Sequence, residues 1–173
     1  SYNKKTKKRI PVLIVVHVFG NAVNLIPLIE ICKKRNIKVI EDAAGALGTF
    51  YLVGKLKSMH AGTVGDVGCL SFNGNKIITS GGGGMILTRD KKIAQRALYL
   101  STQASDNSTK YIHNDIGYNY RLTNIQAAVG LAQLEMINIF LRKKNKIYNY
   151  YKNELNKIKG VYFNNKPKYA KNN

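Results

Sequence analysis

The sequence predicts an α/β fold, a mainly parallel sheet with flanking helices, and three observations carry that expectation. First, Pro11–Val16 is a continuous apolar run rich in valine and isoleucine, followed by helical spacing over Asn24–Arg35 and a second apolar run, Ile37–Ile40. Strand, helix and strand within about thirty residues make a right-handed βαβ unit and imply parallel strands. Second, two more short runs, Val67–Phe72 and Met85–Thr88, bracket a glycine-rich loop. Third, a long helical pattern begins at Thr123.

Each element has its own reason. Pro11–Val16 lacks polar alternation, as a strand buried on both faces does. Asn24–Arg35 spaces Leu25, Leu28, Ile29 and Cys32 helically and ends on basic residues, which suit the negative end of a helix. Ile37–Ile40 leads to Glu41 and Asp42. Ligands of parallel sheets bind at the carboxyl ends of strands, and Asp42 lies at such an end. Ala43–Gly48 is expected as a short helical turn, and Gly54 to Gly65 as loop. Asp90 can cap a helix running to about Leu100. Ser101–Asn114 is polar and expected as an extended loop. The pattern from Thr123 uses Ile125, Ala128, Val129, Leu131, Ala132, Leu134, Met136 and Ile137, and continues, more basic and richer in tyrosine, to about Ile158. A helix of that length packs against a second domain or subunit. Val161–Phe163 reads as a new strand.

Bulk properties narrow the function. An apolar share of 45% excludes global disorder. The net charge of +19 clusters in Lys4–Arg9, in Lys33–Lys38 and from Arg142 onward, while the middle third is nearly balanced. Basic excess suits nucleic acid, an anionic membrane surface or anionic small substrates. No recognised nucleic-acid motif accompanies it, so a basic nucleic-acid-binding module is the lesser alternative. Cys32 and Cys69 sit in apolar patterns, as buried free thiols of a reducing compartment do, and their spacing makes no zinc site. Lys4–Arg9 followed by IPVLIVVHVF is shaped like the start of a signal peptide. No small-x-small cleavage site follows and helix and strand patterns continue directly, so a solvated basic turn entering a buried strand is expected. No run reaches transmembrane length. A cytoplasmic location without membrane attachment follows as the expectation. The chain begins at Ser1 without Met and is expected to be a fragment.

The stretch DVGCLSFNGNKIITSGGGG (Asp66 to Gly84) carries the chemistry. A strand ends in Ser71-Phe72, a polar loop presents Lys76, and four glycines follow. An amine on such a loop, beside backbone that a ligand can approach closely, suits an aldehyde cofactor held as a Schiff base. A pyridoxal phosphate enzyme needs that lysine, a carboxylate on the pyridine nitrogen and hydroxyl donors for the phosphate. Asp42 at one strand end, Ser71 at another and Lys76 five residues later on the loop are of the required types. Singly, each has a blander reading: a surface lysine, a helix cap, a structural serine.

Three longer segments, VIEDAAGALGTFY, GDVGCLSFNGNKIITSGGGGMILT and GYNYRLTNIQAAVGLAQLE, resemble the successive motifs of the DegT/DnrJ/EryC1/StrS family of sugar-nucleotide aminotransferases. The resemblance runs from about Pro11 to at least Glu154. It implies the large domain of fold type I, the aspartate-aminotransferase architecture, incomplete at both ends. Residues 1–122 would be part of the cofactor-binding large domain, 123–160 a long helix toward the small domain and dimer interface, and 161–173 the start of a truncated small domain or a disordered basic tail. NGNKIITSGGGGMI and YLSTQASDN look most like aminotransferases acting on a nucleotide-linked 4-keto-6-deoxy-sugar, of the legionaminic acid, perosamine or bacillosamine type, for surface polysaccharide or glycan biosynthesis.

Residue by residue, the resemblance implies that Lys76 is the Schiff-base lysine and general base. Asp42 pairs with the pyridinium nitrogen, and Ser71 donates to the cofactor phosphate. Asn119 reaches that phosphate from the neighbouring subunit of a homodimer. Arg121 supports that loop or the substrate, or else forms a salt bridge at a helix start. His17 and Gly20 match a motif with a mainly structural role. The implied reaction is ping-pong transamination with glutamate as amino donor. Three features depart from the family pattern. Gly45 stands where His, Gln or Glu is common, no Gly-Thr/Ser phosphate turn precedes Pro11, and the small domain is largely absent. Gly82 also replaces a commoner Glu. A catalytically inactive fragment is therefore the main alternative.

Overall fold

The computed structural model describes residues 1–107, 109–164 and 166–173. Ser108, within the expected 101–114 loop, and Asn165, within the expected 161–173 segment, lie outside the described residues. The elements are β1 (Val12–Val16), α1 (Leu25–Lys34), β2 (Lys38–Asp42), β3 (Phe50–Tyr51), β4 (Val67–Ser71), β5 (Gly84–Thr88), α2 (Lys91–Ser101), α3 (Asn124–Glu135), α4 (Ile137–Leu155) and β6 (Ala170–Lys171). The central sheet has the order β1-β2-β4-β5. β1, β2 and β4 are parallel, and β5 returns antiparallel to β4. The mainly parallel α/β sheet read from the sequence is the fold observed.

Register places side chains on faces. Val16, Asp42, Cys69 and Ile86 are successive Cα partners across the four strands. Partners point to the same side and neighbours along a strand to opposite sides. The next row back, Val15, Glu41, Gly68 and Leu87, therefore faces the other way. That second face is the covered one: Val15, Val39 and Glu41 are buried there, and Leu25 and Cys32 of α1 join Val15 and Val39 in the main core cluster. The first face is open, with Ile14 63% and Ile86 56% exposed.

Helix ends follow their caps. The Asp90 carboxylate accepts from the Lys92 and Ile93 N–H groups at the start of α2, as the sequence suggested. Thr123 and Gln126 form a reciprocal capping box on α3.

The open face leaves β1 covered on one side only, not buried on both as its apolar run suggested, and four more expectations are corrected. The long helix from Thr123 is two helices that meet at Met136 (φ −94°, ψ 0°), where bonds shorten to a three-residue reach: Met136 N–H to Gln133 O and Ile139 N–H to Met136 O. α3 lies by the glycine loop, with Gly130 close to Ser80, whereas α4 sets Leu141 against Gly48. Two neighbours in different directions call for a bend. Ala43–Gly48 is two successive turns, closed by Ala46 N–H to Ala43 O and Thr49 N–H to Ala46 O, rather than a helical turn. Part of the 101–114 loop is stapled, because the Asp106 carboxylate accepts from Tyr99 Oη and Asn114 N–H. Val161–Phe163 makes no strand: Phe163 packs edge-on against Tyr148 of α4 at 6.0 Å. The chain pairs later, β6 running antiparallel to β3 with Ala170 buried.

Candidate active site

The carboxyl ends of the parallel strands converge on one edge of the open face. Asp42 ends β2 and Ser71 ends β4, two residues past Cys69, the register partner of Asp42. Both side chains therefore share that face. Burial and the neighbouring Asp42 charge together push the Cys69 thiol pKa up, the electrostatic counterpart of that adjacency. Asp42 is half-buried, accepts from Ala44 N–H at 3.0 Å and enters none of the ion pairs among the described residues. Ser71 Oγ accepts from Asn73 N–H at 3.3 Å, which leaves its hydrogen available to donate.

Lys76 sits on the loop that leaves Ser71. The loop is pinned at its base by Phe72 N–H to Gly83 O and Ser80 N–H to Phe72 O, both 3.0 Å, with Phe72, Ile78 and Ser80 buried beneath it. A half-buried lysine thus stands on a closed loop rather than a loose one. Gly83 has φ +84°, a conformation that side chains rarely adopt, and a Cβ there would also push on Leu122 Cδ1 at 2.6 Å.

The structure brings Asp42 and Ser71 to one edge, with the Lys76 loop leaving from it, and places Asn119 and Arg121 on the segment before α3. Asn119 is exposed and bridges to Thr102. Arg121 is exposed and lines a cavity of about 480 Å³ over β4 and β5 with Cys69, Ile86 and Gln126. Arg121 takes part in no ion pair among the described residues.

Beneath Asp42 lies a network that the sequence reading touched only through His17. The Glu41 carboxylate is fully buried and accepts four bonds: from His17 Nε2, Gly62 N–H, Val64 N–H and Gly65 N–H, at 2.6–2.9 Å. Burial pushes the Glu41 pKa up, but the bonds from His17, Gly65, Gly62 and Val64 outweigh it and hold it below the ordinary value. Strand parity was the available signal: of two consecutive acids at a strand end, one must face the covered side. The turn after Asp42 is held by the C-terminal segment, where Asn173 Nδ2 donates to Gly45 O and Leu47 O at 2.8 Å.

The donor set fits pyridoxal phosphate. A carboxylate in no ion pair among the described residues and a serine hydroxyl with its hydrogen left to donate share one edge, the half-buried Lys76 stands on the loop beyond, and space around Gly81 is open within 4 Å of a Cβ position. Among the described residues no cluster of His, Cys, Asp and Glu could hold a metal ion, and no helix is long and apolar enough to cross a membrane.

The fold is that of the large-domain core of fold type I, the aspartate-aminotransferase architecture. The chain belongs to the DegT/DnrJ/EryC1/StrS aminotransferase family, which it matches over residues 3–172. It is 42% identical over 158 residues to EpsN of Bacillus subtilis (strain 168), a protein placed by its name among pyridoxal phosphate-dependent aminotransferases; the match covers 91% of this chain and 39% of that one. It is 40% identical over 159 residues to GDP-perosamine synthase of Escherichia coli O157:H7, covering 92% of this chain and 42% of that one. The crystal structure of the aminotransferase TlmJ from Streptoalloteichus hindustanus superposes with a TM-score of 0.83 at 27% identity, over 93% of this chain and 43% of that one. The chain spans about two fifths of the length of the curated relatives it matches.

Proposed function

We propose that this chain carries the cofactor-holding core of a pyridoxal phosphate-dependent aminotransferase. Its substrate would be a nucleotide-linked 4-keto-6-deoxy-sugar, with glutamate as amino donor, in a cytoplasmic homodimer. The observation that carries this reading is the shared edge: Asp42 and Ser71 end adjacent parallel strands on one face, and Lys76 stands on the pinned loop between Ser71 and the glycines. The GDP-perosamine synthase relatives support the substrate class.

Pyridoxal phosphate, when bound, supplies an electron sink for the carbon that loses its proton. Lys76 Nζ would hold the cofactor covalently until an incoming amine displaces it, and the freed Lys76 amine would then carry the proton between the amine-bearing carbon and the cofactor carbon in each half-reaction. The Asp42 carboxylate would pair with the ring nitrogen and favour its protonated form. Ser71 Oγ would donate to a phosphate oxygen, and Asn119 would add a donor from the neighbouring subunit. Arg121 supports that loop or the substrate. Glutamate leaves as its keto acid, and its amino group ends on the sugar carbon that carried the ketone.

Purified protein mixed with pyridoxal phosphate is expected to turn yellow, and borohydride to fix the adduct on Lys76 by peptide mapping. Lys76→Ala loses the adduct. Absence of an adduct on the unaltered chain sinks the reading. An adduct without amino transfer from glutamate to a keto-sugar nucleotide supports the inactive-fragment alternative, which Gly45 favours because it offers the cofactor no side chain.

A further inference from the structure

The end of the sheet opposite Asp42 carries a dense basic surface. β2 opens on Lys38 and closes on Asp42, and a strand of that length separates its ends by roughly 13 Å, beyond the reach of a lysine side chain. Nine cations lie in the first 38 residues, all within the two runs Lys4–Arg9 and Lys33–Lys38, against one acid, Glu30. All nine are exposed. Lys38 pairs with Asp66 at 2.7 Å, and the other eight enter no ion pair among the described residues.

Hydrogen bonds join the two runs into one surface. Residues 3–8 form a turn closed by Lys7 N–H to Asn3 O and Asn3 N–H to Lys8 O, both 2.8 Å, while Asn3 Oδ1 accepts from the Lys5 and Thr6 N–H groups at 2.9 Å. The Arg9 guanidinium donates to Asn36 O at 2.9 Å, and that of Arg35 to Ser1 Oγ at 3.5 Å. The Lys4–Arg9 turn therefore stands beside the last turn of α1, which carries Lys33 and Lys34. Like charges gathered this closely repel one another in the free protein, and an anionic partner relieves that cost. Apolar side chains accompany them: Tyr2 is 68% exposed and Ile31 of α1 is 52% exposed.

We propose that this surface docks the chain peripherally on an anionic lipid bilayer, with the lysines in the headgroup layer and Tyr2 at its boundary with the acyl chains. Charge complementarity carries the choice, since basic clusters of this size are drawn to anionic headgroups, each cation adding to the attraction. Seven of the nine are Lys, a hydrated point charge suited to a fluid headgroup layer, rather than Arg, whose planar fork matches fixed phosphates and bases. Tyrosine is a residue of membrane–water boundaries. Nucleic acid would call for a helix laid into a groove or for several stacking aromatics, whereas α1 meets this surface by its end and residues 1–10 and 25–38 contain one aromatic, Tyr2. No helix among the described residues is long and apolar enough to cross a membrane, and a surface contact needs none. The sequence led to an expectation of no membrane attachment; the basic surface supplies a peripheral one, away from the cofactor edge.

Flotation of the full chain with phosphatidylcholine vesicles containing about one third phosphatidylserine tests this. The chain is expected to bind them at about 0.1 M salt, to leave them at about 1 M, and to ignore vesicles of phosphatidylcholine alone. Lys4→Gln, Lys5→Gln, Lys7→Gln and Lys8→Gln together are expected to weaken binding about a hundredfold or more, and Lys33→Gln with Lys34→Gln about tenfold or more. The second variant keeps the test valid even where the first fails to fold. Lys143→Gln, Lys146→Gln, Lys152→Gln and Lys159→Gln together make an equal change of charge on exposed lysines of α4 and the segment after it, and are expected to leave binding unchanged. The chain contains no tryptophan, so Tyr2→Trp adds a single reporter, whose emission is expected to move to shorter wavelength on the anionic vesicles. The proposal is overturned by binding that ignores both lysine groups, by equal loss in the α4 set, or by a reporter that stays solvated on bound vesicles. Tighter binding of duplex DNA or RNA with the same lysine dependence overturns it too, and assigns the surface to nucleic acid. Borohydride trapping on Lys76 is expected to be the same in every variant, so the cofactor reading stands or falls separately.

Discussion

His17 and Glu41 meet through a 2.9 Å hydrogen bond with both side chains fully buried. Val23 N–H donates to His17 Nδ1 at 3.1 Å, so the ring proton lies on Nε2 and points at the Glu41 carboxylate. The pair ties the end of β1 to the end of β2, one residue before Asp42. Together with the amides of Gly62, Val64 and Gly65 it fills the acceptor capacity of Glu41.

Removing this carboxylate would leave several buried donors unpaired. Glu41→Ala is expected to cost on the order of 3–5 kcal/mol, read as a lower denaturation midpoint in urea. Glu41→Gln keeps one acceptor oxygen and is expected to lose less. Equal stability of all three proteins would show that the network is not what holds this edge.

Stability is expected to fall with acid in two stages. Burial holds the His60 pKa below its ordinary value of 6.5, so below about that pH the unfolded chain takes up a proton that the folded chain resists. Glu41 and Asp66 are both held below their ordinary values, 4.5 and 3.8. Their contribution is complete above those values and is lost as pH falls through the lower folded ones. Urea titrations from pH 7 to pH 3 check this, and Glu41→Gln is expected to flatten the lower stage. A midpoint that holds steady or rises on acidification contradicts the assignment.

Asp42→Asn is expected to leave the Lys76 adduct trappable and to slow amino transfer on the order of a hundredfold or more, since a neutral amide cannot hold the ring-nitrogen proton. Ser71→Ala is expected to weaken cofactor retention about tenfold, the loss of one charge-assisted bond. Absorbance titration with cofactor separates the two. Unchanged retention in Ser71→Ala would remove Ser71 from the phosphate site.

Gly68→Ala tests the close approach under β4. A Cβ at Gly68 would overlap the carbonyl oxygen of Gly62, in the loop whose amides Glu41 binds. The strand or that loop must shift, at a cost of about 1–3 kcal/mol, and thermal unfolding is expected to show it.

The βαβ unit, the two strands around the glycine loop, the Asp90 cap and the helix start at Thr123 could be read from residue types, because each depends on local pattern. The positions of Asp42 and Ser71 at strand ends, and of Lys76 on the loop beyond, could be read for the same reason, since hydrophobic runs define those ends. The break at Met136 could not, since no proline or glycine marks it and the bend answers to separate neighbours of α3 and α4. β6 was hidden because a two-residue strand has no period. The roles of Glu41 and Asn173 depend on contacts across 21–24 and 126–128 residues, which no local pattern encodes.

The open face of the sheet sets two intermolecular forces against each other. Val12, Ile14, Val16 and Ile86 form an adhesive apolar strip, while a net charge of +19 surrounds each copy with a repulsive shell. Salt weakens only the second, shrinking its range from about 10 Å at 0.1 M to about 3 Å at 1 M. Self-association of this 173-residue span should therefore rise with ionic strength, the reverse of an assembly held together by charge. In colloidal terms the chain stays dispersed by repulsion, and its handling in solution is governed by buffer strength as much as by fold.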